Sequence, residues 1–500
     1  MEWPIKKDDS FKTTPTAREI WVEAMKCVSS PEAESWRSEM EQVKNWRNEY
    51  IGIVEEHCAI MLKSSPDIAV QMAEAGLEAL NSKMLFRIDE NTTISAKEAF
   101  ERNDIVKLET ETVKSSKSVS SYQLPVCSPK GEWLTGDKAR NQLVAWSDYG
   151  CMEGSASHHA SAVCRLGDAS SLVKDKVFVL LGVTSEMGSA KPLLQIPGAH
   201  VLGIARKGSR LDALVDWYKE HGAGNTTLQF PKEGTDMLEQ GPQIAKWIVD
   251  TVPKNKEIVL CQLVYMDGEA HVRASVAMDL ICQYVIKNVS NKVSLSYLTS
   301  PGTAHAIPAE AAQDAKRRLE ERPSWQSLTS VMSMGQWLQT NDSWEQDGLL
   351  NGLTHLQGPN YALAKTSQQW RCMVEYWKAG RTVSCPHAPP SRTSSMIRYA
   401  TIAAALEGMQ MFEPNVSFSV DSASSLLAAI LLYQVSYEES PTNPKNKSEL
   451  EHPMHIFWDG SVHGGSWRCP YDGASTGTLS FLFGKTMSGP YVPDNSVADE

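Results

Sequence analysis

The sequence has 500 residues, 42% of them hydrophobic and 22% charged, with a formal net charge of −12. That length supports two or three domain-sized cores, and the acidic balance excludes a broad nucleic-acid-binding surface, which needs a basic field. No apolar run approaches the ~20 residues of a membrane helix, and MEWPIKKDDSFKTT lacks the apolar segment of a secretory signal. Ten cysteines occur without a Cys-x-x-Cys pair or a Cys/His cluster at zinc spacing, which suits a reducing compartment and gives no metal site. The expectation is a soluble, cytoplasmic protein, with organelle import also compatible. The fifteen tryptophans are assigned to core packing.

Residues 1–16 are polar and expected to fray. From 15 to about 80 the apolar residues recur at three- and four-residue steps, as in Trp21, Met25, Val28 and Trp36, Met40, Val43, Trp46, which predicts helices. Residues 107–126 alternate like a short hairpin with a Ser/Lys-rich turn. A helix through Leu143 and Trp146 follows, and His158-His159 falls in a small, polar loop without the i+4 partner a helical metal pair needs. A domain boundary is placed near 170, so that 1–170 form a mostly helical region of unassigned role.

The stretch 174–210, KDKVFVLLGVTSEMGSAKPLLQIPGAHVLGIARKGSR, changes character. VFVLL at 177–181 is an unbroken apolar run, the pattern of a parallel strand covered on both faces. Gly182 and Gly188 bracket a turn in which Thr184, Ser185 and Met187 lie. Glycine there serves positive φ or close approach of a phosphate, and the following helix start offers free N–H groups to an anion. A second strand, 200–205, ends at Arg206, Lys207 and Arg210, positive charge that suits a ribose 2′-phosphate. Strands and helices then alternate as far as a last strand expected at 454–458, predicting a parallel sheet with right-handed crossovers. A charged helix and a Trp-rich segment (Trp325, Trp337, Trp344) interrupt the alternation at 308–357. The turn 461–465, SVHGG, closes the last strand, with a place in the substrate cleft as the alternative, and 476–500 read as a tail.

Tyr361 and Lys365 are one turn apart on one helical face, where an ammonium can lower a phenol pKa and make it a proton carrier. His271 reads as a helix-start residue, with substrate contact as the alternative.

Taken together, these motifs resemble the short-chain dehydrogenase/reductase family. Gly182-VTSEM-Gly188 is most similar to the divergent turn of the enoyl-acyl-carrier-protein reductases. Asp236 matches that family's adenine-contacting Asp, Ser300 its serine after the fifth strand, Tyr361 and Lys365 its proton donor and lysine. APPSRT, with Pro389 and Thr393, matches the turn after the sixth strand. The resemblance implies that Tyr361 moves a proton at the substrate oxygen and that Lys365 holds the nicotinamide ribose and depresses the Tyr361 pKa. Ser300 would position the carbonyl and Thr393 contact the carboxamide. Three departures stand against the family pattern. Tyr265-Met266-Asp267-Gly268 replaces the usual Asn-Asn-Ala-Gly, and the N-terminal region has no counterpart. Ser300 lies 361 − 300 = 61 residues before Tyr361, whereas Ser343, nearer in sequence, falls inside the insertion.

The expected architecture is therefore α/β, a doubly wound parallel sheet of Rossmann type over 171–475, preceded by the helical region. The expected function is NADP-dependent (or NAD-dependent) oxidoreduction of a carbonyl, hydroxyl or enoyl group on a small or lipid-like substrate, with the Trp-rich insertion as a lid. Two alternatives are a nucleotide-binding scaffold without turnover, partnered through the N-terminal helices, and a sugar-nucleotide epimerase or dehydratase.

Overall fold

The computed structural model describes residues 1–4, 13–102, 104–117, 119–340 and 348–486; Ser343 and Trp344 lie outside them. The main sheet contains β1 (Thr110–Val113), β2 (Lys176–Leu181), β3 (His200–Ile204), β4 (Thr227–Pro231), β5 (Glu257–Gln262), β6 (Val293–Tyr297) and β9 (Val383–Ser384), and a separate ribbon pairs β7 (Ala304–Ala306) with β8 (Leu349–Asn351). Its order is β9-β6-β5-β2-β3-β4-β1, parallel throughout except for β1, which runs antiparallel to β4. Numbered among themselves, the parallel strands lie 3-2-1-4-5-6, the doubly wound order, whose direction reverses between β2 and β5. The sheet is Rossmann-type, as the apolar runs implied.

The period of two within each strand creates two cores. Val177, Val179, Leu181, Leu202, Ile258 and Leu260 face one side, and Phe178, Leu180, Val201, Val259 and Cys261 the other. Two layers of helix cover the first side: α1 (Thr13–Met25), α2 (Pro31–Gln42), α3 (Trp46–Lys63) and α4 (Pro66–Lys83) lie outside the crossover helices. The second side begins with α5 (Gly136–Tyr149), α6 (Gly154–Cys164) and the short α7 (Ala190–Leu194), followed by α8 (Ser209–His221). Crossover helices α9 (Met237–Thr251) and α10 (Glu269–Asn288) return to the first side. The insertion carries α11 (Ala309–Glu320) and α12 (Ser324–Met332), and α13 (Pro359–Met373), α14 (Ala400–Gly408), α15 (Val420–Ser436) and α16 (Gly473–Gly484) complete the chain.

The boundary expected near 170 is not a division of packing. Residues of α1–α4 share one core with β2, α10 and α13, while α5 and α6 share the other with α15 and β5. The joint is aromatic: Trp370 of α13 packs edge-on to Trp21 at 5.5 Å and near His57 at 5.9 Å. A Cβ on Gly76 of α4 would lie 2.3 Å from the Trp370 ring, so the glycine is what lets indole meet backbone. Trp3, Trp21, Trp36, Trp146, Trp247, Trp370 and Trp467 are fully buried, each a side chain whose truncation costs ~3–5 kcal/mol.

Several local readings are corrected. Met1 and Trp3 are buried and Glu2 bridges Leu85, so the first four residues are not frayed. Residues 110–113 form no hairpin; β4 offers an unpaired edge, and the alternating TETV takes it. His158 and His159 lie on α6, not in a loop, with His159 Nε2 3.4 Å from the Asp459 carboxylate and His158 near the Tyr433 hydroxyl. The expected strand at 454–458 is a 3₁₀ turn, Pro453–Phe457, because Pro453 cannot donate to a ladder and the His452 ring accepts from Met454 N–H instead. The tail expected at 476–500 opens inside a helix, α16, which spans Gly473–Gly484 and packs against α14. Among the described residues no helix is long and apolar enough to cross a membrane.

Candidate active site

The C-terminal ends of β2, β5 and β6 meet where the strand order reverses, and the residues singled out in the sequence gather there. β2 ends in Gly182 at φ +102, a conformation that favours glycine. Its N–H and that of Val183 both donate to the Ile204 carbonyl. A Cβ on Gly182 would lie 2.9 Å from Val264, and one on Gly188 3.1 Å from Leu263, so both glycines let the turn close over the end of β5. Gly182 and Gly188 carbonyls are used in turn by Ser185 N–H and by the Ser424 hydroxyl of α15. Thr184, Ser185 and Met187 are half-buried along this turn.

At the end of β3, Arg206 and Lys207 are about two-thirds exposed and held by ion pairs, Arg206 to Asp236 at 3.3 Å and Lys207 to Glu233 at 2.8 Å. Asp236 also caps α9, accepting from Leu238 N–H at 2.8 Å. Pro389 and Thr393 lie after β9, on a segment clamped by mutual bonds between 390–392 and Phe418. Thr393 Oγ1 pairs with Ser395 at 3.1 Å.

The 61-residue gap between Ser300 and Tyr361 closes in three dimensions. The chain leaves after Ser300 through β7 and returns through β8, its antiparallel partner, so the whole insertion is an excursion that begins and ends beside β6. Gly352 N–H donates to Thr303 O, and Gln357 reaches back to Gly302 O. A Cβ on Gly352 would lie 1.9 Å from the Pro301 carbonyl, so this crossing demands glycine. The Tyr361 hydroxyl thereby donates to Ser300 Oγ at 2.7 Å, while Gly302 N–H fixes that serine oxygen from the other side at 3.1 Å. Lys365, one turn on, donates to the Leu298 carbonyl at 3.1 Å and to Gln368 Oε1 at 3.3 Å.

Burial dominates the electrostatics. It pushes the Tyr361 phenol well above its ordinary value, only partly offset by the Ser300 bond, and it pushes the Lys365 amine down to about 8. The expectation that Lys365 depresses the Tyr361 pKa is thus corrected: the ammonium is turned to Leu298 and Gln368, and desolvation of the phenolate outweighs its charge. Tyr361 is a neutral phenol, suited to giving a proton.

Two further residues complete the site: His271, for which the sequence left substrate contact as an alternative, and Glu186, which sequence reasoning passed over. His271, in the first turn of α10, is fully buried, its ring 4.8 Å from Tyr265 and 6.0 Å from Tyr361. Burial, and then the Lys365 charge, hold it far below its ordinary pKa, so the ring is neutral. Met266 N–H reaches its Nδ1 at 3.4 Å, whereas Nε2 has no hydrogen-bond partner. Glu186, within the glycine turn, accepts from the Ser394 N–H at 2.9 Å and from the Ser394 hydroxyl, joining the turn to the segment after β9. The spacing of Gly268 before a helix could have marked His271 as facing the strand ends; nothing local marked Glu186.

A reversing parallel sheet, a glycine turn on its first strand and a Ser–Tyr–Lys group on its fifth strand and following helix form one arrangement. The fold is a doubly wound, Rossmann-type sheet whose site resembles that of the short-chain dehydrogenases/reductases. No family model and no curated protein matches the chain. Among solved structures, L-sorbose reductase from Gluconobacter frateurii, complexed with NADPH and L-sorbose, is similar at 13% identity over 59% of this chain and 98% of that one, with a TM-score of 0.37. A short-chain type dehydrogenase/reductase from Mycobacterium ulcerans is similar at 14% identity over 63% of this chain and 97% of its own, with a TM-score of 0.35. The fold assignment rests on the strand order and on where these side chains lie.

Proposed function

We propose that this protein is an NADPH-dependent reductase of a carbonyl group on a small or lipid-like substrate. The observation that carries this reading is the 2.7 Å bond between the Tyr361 and Ser300 hydroxyls, brought together across 61 residues, with Lys365 on the same helical face. A structural tyrosine needs no such convergence at the reversal point of a doubly wound sheet, where ligands bind.

The residues fit a dinucleotide. Gly182 and Gly188 keep the first turn free of Cβ atoms, and Arg206 and Lys207 present two exposed cations where a 2′-phosphate would sit. Their present ion pairs are exposed and worth ~0–1 kcal/mol each, so a phosphate dianion displaces them readily. Pro389 and Thr393 would face the nicotinamide end. When bound, NADPH supplies the hydride that forms the new C–H bond. Tyr361, neutral and already a hydrogen-bond donor, gives its proton to the carbonyl oxygen as the C=O π bond breaks. Ser300, its oxygen fixed by Gly302 N–H, holds that oxygen in place. Lys365, with its lowered pKa, is close to its titration point near neutrality and can restore the phenol proton.

A second reading, a nucleotide-binding fold without turnover, is favoured by Glu186, an anionic carboxylate inside the turn that would meet the diphosphate. The two readings part on one experiment, loss of NADPH absorbance with a panel of aldehydes, ketones and quinones. The reductase reading expects turnover with at least one of them, reduced ~10²–10⁴-fold in Tyr361→Phe. NADPH binding without turnover across the panel would favour the silent scaffold.

A further inference from the structure

His271 is fully buried, and its ring stacks on the proposed proton donor. Its surroundings fix its chemistry. The first turn of α10 sets the ring against both Tyr265 and Tyr361, which also meet each other at 6.4 Å. Met266 N–H points at Nδ1, so Nδ1 accepts and the proton resides on Nε2. Nε2–H is then a buried donor with no protein acceptor. With the Lys365 ammonium nearby, a second proton on the ring is disfavoured, so His271 cannot serve as a base. A neutral imidazole N–H held beside a proton donor is suited to polarising an oxygen that gains negative charge.

We infer that His271 is a substrate-positioning residue, its neutral Nε2–H donating a hydrogen bond to the carbonyl oxygen that Tyr361 protonates. No proton leaves the ring; the bond strengthens as the oxygen charges. The inference rests on the reductase reading and names a donor in addition to Ser300 and Tyr361. It also accounts for an otherwise costly side chain: a ring kept only for packing would be better served by phenylalanine.

The test uses the full chain, NADPH and diacetyl as carbonyl probe. His271→Phe keeps a ring against the two tyrosines and removes the donor; His271→Gln restores an N–H. His271→Phe is expected to melt at or above the wild-type temperature and to bind NADPH within about twofold of wild type, while kcat falls about tenfold or more. His271→Gln recovers part of that loss. A structural role predicts the opposite, a lowered melting temperature with kcat unchanged at temperatures where the variant is folded, and that result overturns the inference. Histidine ¹⁵N spectra give a reading independent of turnover. An Nε2-protonated ring whose signal moves when diacetyl is added supports the assignment; an Nδ1-protonated ring, or one that diacetyl leaves unmoved, overturns it. Failure of the wild-type protein to oxidise NADPH with any carbonyl counts against the reductase reading, and the nitrogen spectrum then judges His271 by itself.

Discussion

Lys365 carries a cost that can be measured without knowing the substrate. Burial lowers its amine from the ordinary 10.5 to about 8. At 1.36 kcal/mol per unit the charged folded form is disfavoured by up to about 3 kcal/mol, trimmed by solvent because the side chain is only partly buried. The unfolded chain binds the proton more tightly than the folded one, so stability rises with pH between 8 and 10.5. Below pH 8 the whole cost is present; above 10.5 it is gone. Lys365→Met keeps the stem, removes the charge and forfeits the bonds to Leu298 O and Gln368, at about 1 kcal/mol each. The variant should therefore be more stable than wild type by about 1 kcal/mol at neutral pH and less stable above pH 10, with the crossing inside the titration window. Urea titrations of both proteins from about pH 7 to about pH 10.5, the range that spans the two pKa values, measure it. A stability difference that does not change with pH would refute the reasoning, as would a variant that keeps wild-type turnover.

Arg206→Ala should weaken NADPH several-fold and leave NADH nearly unchanged, because only the former carries the 2′-phosphate; equal losses by fluorescence titration would remove Arg206 from the site. Glu186→Gln should bind NADPH about tenfold more tightly by relieving repulsion at the turn, and amide exchange at Ser394 should quicken as its acceptor weakens. Unchanged affinity would mean that the diphosphate does not pass Glu186. Gly352→Ala forces a Cβ to 1.9 Å from the Pro301 carbonyl. It should cost more than about 3 kcal/mol and separate Ser300 from Tyr361, seen as a lowered melting temperature with lost turnover. A variant of wild-type stability and rate would show that the β7–β8 crossing does not set that pair.

How much of this was legible in the sequence depended on range. The strand VFVLL, the turn from Gly182 to Gly188 and the Tyr361/Lys365 spacing are local patterns, and each stands where its period placed it. The order of Asp236, Ser300, Tyr361 and Thr393 along the chain was equally legible, because a doubly wound sheet visits its strand ends in sequence. Residues 454–458 misled because MHIFW is mostly apolar in any conformation, and only Pro453 and the His452 cap select a turn. The edge strand β1 could not be read locally, since its partner β4 is more than a hundred residues away.

The sequence by itself determined the element types and the two-sided apolar strands, since those follow from side-chain period and backbone chemistry over a few residues. Tertiary structure alone decided three things. It merged the N-terminal helices with the sheet through Trp21, Trp370 and Gly76, and it brought Ser300 to Tyr361 by folding the insertion into an excursion closed at β7 and β8. It also set the protonation of Tyr361, Lys365 and His271, because desolvation depends on what surrounds a group from every direction, and no spacing along the chain encodes that.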